Sequence, residues 1–231
     1  MNQDISEHIE QLVSQIDNTI TGTFNIVEDR TDVCNTKWIR IGKKVTDSSG
    51  NEYMVTDLEV NSWIKTQPVD PLNTQVLEGI ITIDTPFFIT GTRKSANSEW
   101  TKNTNFLLEK TPLVWFLDSI RFRSFGRDSA LEYESEVRIF FVDETNIRQF
   151  YTKDHRIQVV KPMTSLVENF LDVLKKNRNF RRIDNFDVLT FSRFGVEKQD
   201  GMLENILDAN LSGVELRLTL TRFKENCKNC N

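Results

Sequence analysis

Residues 134–177 read ESEVRIFFVDETNIRQFYTKDHRIQVVKPMTSLVENFLDVLKKN, and a fold can be built outward from them. Val137, Ile139 and Phe141 recur at every second position, the period of a half-buried strand. A polar turn is expected at Asp143 to Asn146, and the run Ile147 to Val160 is expected to return as a second strand. A helix then opens at Pro162, where a missing N–H costs little. Ser165 and Glu168 have capping-box spacing, with Met163 before them as a staple. Leu166, Val167, Phe170, Leu171 and Leu174 form one apolar stripe. Lys175, Lys176 and Arg178 close the helix, where its dipole favours cations. Strand, turn, strand and packing helix are the smallest unit that can own a core.

Upstream, Ile5, Ile9, Leu12, Val13, Ile16 and Ile20 share one helical face, so a helix is expected over residues 4–20, capped by Asp4 with Glu7. It either docks on the same domain or packs on a neighbouring subunit. From Gly22 to Pro68 the period is two. Phe24 and Ile26 mark one strand, Trp38, Ile39 and Ile41 a second, and Tyr53 to Val60, running on through Ile64, a third. Thr46 to Asn51 is a hairpin turn with Gly50 at the position that wants a positive φ. More strand character follows from Gln75 to Gly91. The run from Phe106 to Ile120 is strongly apolar at Phe106 to Leu108 and Pro112 to Leu117, which periodicity cannot resolve; Pro112 tips it towards a helix. Phe186 to Phe194 and Val214 to Phe223 are strands, the second with Val214, Leu216, Leu218 and Leu220 on one face. Three polar excursions remain, at 91–105, 121–136 and 195–213, and the tail 224–231 is expected to fray. The fold class is therefore α+β: one domain over 1–231, mainly antiparallel sheet, with an N-terminal helix, one packing helix near 163–177 and long interaction loops.

The bulk properties bear on partners. Net charge is −5, the opposite of the clustered basic balance that phosphate neutralisation needs. Three cysteines, Cys34, Cys227 and Cys230, are too few for a disulfide framework. No apolar run is long enough to span a membrane, and the first residues are polar, unlike a secretory signal. A soluble protein made in a cytosol is expected.

Chemistry has few footholds. His8 and His155 are the only histidines, and neither lies in a recognisable nucleophile or base motif. Cys227 and Cys230 form a CxxC beyond the last strand, either an incidental tail or a staple between subunits. Asp143, Glu144 and Asp154 could serve a metal-dependent nuclease or hydrolase, although acidic turns carry the same letters for solubility. No phosphate-binding glycine loop occurs. No catalytic, cofactor-binding or metal residue is therefore assigned. Trp100, Phe125 and Tyr133 are candidate interface anchors, Trp100 being either tucked against the domain or an anchor. Arg121, Arg123 and Arg127 form a basic run beside them. Lys175, Lys176, Arg178, Arg181 and Arg182 form another, read as a solvated helix end, as non-specific contact with DNA or as contact with an acidic neighbour subunit.

One resemblance gives these features a context. The order Thr111-Pro112-Leu113-Val114-Trp115-Phe116-Leu117, then Val137 to Glu144, then Val159-Val160-Lys161-Pro162-Met163 leading a helix, resembles virion proteins of tailed bacteriophages that infect Bacteroidota. The neck and tail ring proteins of crAss-like phages are the family it is most similar to. The strand entry Leu211 to Leu216 also looks like small tail-terminator and connector-ring proteins. The likeness spans roughly residues 75–223. It implies an α+β subunit in a homo-oligomeric ring around the DNA channel, between portal and tail. Its partners would be other copies of itself and portal or tail components. It implies a virion location after assembly in the host cytoplasm, no enzyme activity and no cofactor. No site residue carries over. The alternatives are the small metal-dependent hydrolase named above and a cytosolic interaction module.

Overall fold

The computed structural model describes residues 5–102, 109–117, 121–125, 132–146, 150–180, 185–191, 196–199, 202–205, 207 and 209–223. For 121–125, 132–133, 196–199, 202–205 and 222–223 it describes the backbone alone. The chain is α+β, with mostly antiparallel strands. In order, it runs α1 (Ile5–Ser14), β1 (Thr19–Asn25), β2 (Arg30–Val33), β3 (Lys44–Asp47), β4 (Glu52–Glu59), β5 (Trp63–Pro68), β6 (Gly79–Ile83), β7 (Phe87–Gly91), α2 (Arg93–Lys102), β8 (Leu113–Leu117), β9 (Arg121–Phe125) and β10 (Glu132–Glu144). Then come α3 (Thr152–His155), a π-helical turn (Arg156–Val160), α4 (Lys161–Lys176), β11 (Phe186–Phe191), β12 (Val196–Gln199), β13 (Met202–Asn205) and β14 (Leu211–Phe223).

The first six strands close into an antiparallel barrel in the order β1-β2-β5-β4-β3-β6. Closure leaves no free edge among these strands. Alternation supplies the lining: Ile20, Val33, Val45, Tyr53, Val55, Ile64, Ile81 and Ile83 are all buried. The β3–β4 hairpin forms where expected. Gly50 takes φ +86°, and the Asp47 carboxylate accepts hydrogen bonds from the Ser49 and Asn51 N–H groups at 2.8 and 2.9 Å. Three expectations fail nearby. The helix expected over residues 4–20 ends at Ser14, and Ile20 lies on β1, where alternation buries it in the barrel. Trp38 and Ile39 lie in a connecting turn, not a strand, because burial alone gives them their apolar character. The run from Tyr53 to Ile64 is two strands folded at Asn61, which takes a left-handed φ of 57°.

The second layer is an open sheet, β11-β14-β10-β8-β7, with β9 also paired to β10. β7 and β8 run parallel, which requires a crossover, and α2 lies within it. The expected helix at residues 106–120 is therefore overturned where it is described: Leu113–Leu117 is a strand. Its unbroken hydrophobicity follows from burial on both faces. Val114 and Phe116 join the main core, while Leu113 and Trp115 join a second cluster on the opposite face. β10 divides its residues the same way, with Val137, Ile139 and Phe141 inward and Phe140 and Val142 in the second cluster. One continuous core links α1, the barrel, the inner sheet face and α4.

The opening unit also needs correction. β10 runs on through Asp143 to Glu144, and no strand lies between it and α3 among the described residues. Instead α3, the π turn and α4 run on continuously, with right-handed helical backbone at His155, Arg156, Val160 and Lys161. The helix starts at Thr152, where the Asp154 carboxylate accepts the Tyr151 N–H at 3.1 Å. Ser165 and Glu168 lie in its interior and cap nothing. Pro162 cannot donate to the carbonyl of Gln158, and in an unbroken α-helix its ring would collide with that group. A wider π turn immediately before it relieves the conflict. The excursions are largely structured: 91–105 holds α2, 121–136 holds β9 and the start of β10, and 195–213 holds β12, β13 and the start of β14.

Candidate functional site

Asp143, one of the three acids named for metal chemistry, is 0% exposed. Arg40 grips it with two parallel bonds, Nε to Oδ2 at 2.7 Å and Nη2 to Oδ1 at 2.8 Å. Lys43 Nζ sits 4.0 Å from Oδ1 and donates to the backbone and hydroxyl oxygens of Thr111. Burial pushes the Lys43 ammonium down from its ordinary 10.5 to about 8, with Asp143 opposing the shift. This cluster fastens a barrel loop to the end of β10. Asp154 is occupied at the start of α3, so the three nominated acids do not converge. Among the described residues no group of three His, Cys, Asp or Glu side chains could hold a metal ion.

The histidines are similarly engaged. His155 Nε2 is 2.8 Å from the hydroxyl of Ser212, and burial lowers its pKa. Ser212 is 0% exposed, so this pair ties the long helix to β14 and does not face a cleft. His8 meets Phe180 edge-on at 5.9 Å. Cys34 is exposed; Cys227 and Cys230 lie outside the described residues. No helix among the described residues is long and apolar enough to cross a membrane.

The interface candidates separate into groups. Trp100 is 5% exposed, packed in the second core cluster with Ile89, Trp115 and Leu207, so it is tucked against its own domain and is not an anchor. Lys110 caps this arrangement, its Nζ donating to the Trp100 carbonyl at 2.9 Å. Arg121, Arg123 and Phe125 fall on β9, and Tyr133 on the facing part of β10. The register sets Arg121 opposite Glu136, Arg123 opposite Glu134 and Tyr133 opposite Ser124. Arg127 lies outside the described residues, as do Arg181 and Arg182 of the second basic run. β10 and β14 pair over thirteen positions, Glu132↔Phe223 to Glu144↔Leu211. At about 3.4 Å per residue that ladder is ~44 Å long; its part from Val137 to Val142 lies in the sheet's core, and its part from Glu132 to Glu136 forms an arm with β9.

A surface that the residue pattern did not single out lies at the sheet margin. β11 pairs with β14 on one side, and no described strand pairs with its other side. Phe186, Val188 and Leu189 are 43%, 36% and 41% exposed. Since neighbouring strand residues point to opposite faces, Val188 and Leu189 leave apolar surface on both sides of this edge. Asp187 is the only charge on the strand. Beyond it, β12 and β13 pair only with each other among the described residues. The signal was present as the strand FDVLTF, but nothing in it says which side stays unpaired.

No family model matches the chain, and neither a curated protein nor a solved structure matches it.

Proposed function

We propose that this chain is a structural assembly subunit, a ring-forming virion component of the portal–neck–tail channel of a tailed bacteriophage. The observation that carries the self-assembly reading is the apolar edge of β11, unpaired among the described residues. Edges of this kind template pairing with another chain, and monomeric proteins blunt them with lysine, proline or a covering element. β11 has neither lysine nor proline among its six residues, Asp187 being its one charge, and no described strand covers its free side. A head-to-tail contact from such an edge to a different surface of the next copy closes into a ring when the rotation per subunit divides a full turn. The arm of β9, β10 and β14 offers a second extended surface for that contact. The phage assignment rests on the resemblance over residues 75–223, which contains both features.

Native mass spectrometry and electron microscopy of the purified full chain test the assembly. Closed rings are expected. The double variant Val188→Lys, Leu189→Lys is expected to yield folded monomers, with an unchanged circular dichroism spectrum. A wild-type chain that stays monomeric in isolation and when mixed with portal overturns the ring, and its absence from purified virions by mass spectrometry overturns the location.

A further inference from the structure

We infer that the groove between the long helix and the loops at one end of the barrel binds a small phosphorylated ligand, with Arg156 and Lys161 as its anion-holding pair. The groove encloses about 440 Å³. That is the size of a small-molecule site. One wall is the helix face bearing Arg156, Lys161 and Glu168; the other carries Asn35 and Asn61 from the barrel loops.

The π turn makes the pair. Five residues of α-helix turn through about 500°, which would leave residues 156 and 161 about 140° apart. The Lys161 N–H donates instead to the Arg156 carbonyl, the five-residue bond of a π turn. That wider turn brings both side chains to the same groove. Both residues are exposed, and neither has an ion pair among the described residues. Arg30, Lys37, Arg40, Lys44, Arg138 and Arg217, by contrast, each hold a carboxylate.

The opposite wall supplies hydrogen-bond donors. The Asn61 Oδ1 is taken by the Thr36 N–H at 3.1 Å and the Thr36 hydroxyl at 3.3 Å. The Asn35 Oδ1 is taken by the Lys37 N–H at 2.7 Å. In each amide the acceptor is used internally, and the NH₂ group has no partner among the described residues. Two cations and two amide donors around one groove suit an oxyanion. Glu168 is the acid on the helical wall, seven residues beyond Lys161, or about 10 Å along the helix. It would repel a second phosphate but accept from a hydroxyl or amine at the far end of the ligand. A phosphomonoester with a hydroxyl-bearing body, such as a nucleoside monophosphate, satisfies both ends.

Calorimetric titration of the full chain with inorganic phosphate, adenosine monophosphate and a single-stranded oligodeoxynucleotide tests this. The monophosphate is expected to bind more tightly than inorganic phosphate. Arg156→Gln and Lys161→Gln should each weaken both by tenfold or more. Glu168→Gln should weaken the monophosphate while leaving inorganic phosphate unchanged or tighter. Asn61→Asp keeps an acceptor for Thr36 and tolerates the left-handed backbone, yet adds a negative charge, so it should abolish phosphate binding. All four positions are exposed, and an unchanged thermal midpoint will establish that the variants are folded. The proposal is overturned if neither phosphate nor the monophosphate binds, or if binding ignores Arg156 and Lys161. Binding of the oligodeoxynucleotide alone, dependent on the same two residues, overturns the small ligand in favour of a nucleic-acid backbone.

Discussion

Asp143, Arg40 and Lys43 are drawn from a barrel loop and the end of a sheet strand, 103 positions apart in the case of Arg40 and Asp143. No local pattern announces such a pair. Asp143 reads as one letter of an acidic turn, and only the tertiary structure converts it into a buried counter-ion. Its removal leaves Arg40 and Lys43 without their shared anion. Asp143→Asn is therefore expected to lower stability by about 3–5 kcal/mol, the usual consequence of breaking a buried pair from one side. Equilibrium denaturation in urea will measure it. Lys43 adds a pH dependence of definite sign. Its pKa falls from 10.5 unfolded to about 8 folded, so between those values the unfolded chain binds more protons. Stability contributed at this position is thus expected to rise as pH climbs from 8 to 10.5, by an amount on the order of 3 kcal/mol. The comparison is with Lys43→Met, whose stability should lack that increment. A wild-type advantage that falls over the same interval would contradict the assignment.

Among the elements, those with one wet face were legible. The stripe of α1, the β3–β4 hairpin, β14 and the apolar face of α4 all declared themselves through their period. Elements buried on both faces did not. β8 is apolar at every position because two cores meet across it, and an unbroken apolar run carries no period. The stretch Ile147 to Val160 misleads for another reason. Its Ile and Val residues favour strands, but Val159, Met163, Leu166, Val167 and Phe170 have helical spacing and bury together against the sheet. Burial outweighs a propensity that spans only about 1 kcal/mol. Gly213 shows how tightly the sheet elements meet. It pairs with Val142 on one side and Phe191 on the other, at φ +156°. A Cβ there would stand 2.1 Å from the Phe141 carbonyl oxygen and 2.9 Å from the Val142 Cα. Backbone cannot step aside as a side chain can. Gly213→Ala is expected to destabilise the chain by about 3 kcal/mol, the upper end for overpacking, seen as a lowered thermal midpoint.

Across the whole molecule, barrel closure was the least legible feature, because it depends on pairings between distant strands. β1 meets β6 with Ile20 opposite Ile81, and no local turn signals that contact. The same non-locality has a thermodynamic consequence. The barrel lining, α1, the inner sheet face and α4 belong to one core, and the Arg40–Asp143 pair bridges barrel and sheet. Neither half can open without exposing apolar surface of the other, so the two should behave as one cooperative unit. Hydrogen exchange read by mass spectrometry checks this on the Val188→Lys, Leu189→Lys background, where assembly cannot add protection. Peptides from β3–β4 and from the centre of β10 are expected to share one opening free energy. Adding Asp143→Asn should lower both by the same amount, although the substituted residue lies on the sheet. If the β3–β4 peptides kept their protection while β10 lost its own, the barrel would be an independent unit and the shared core would not couple them.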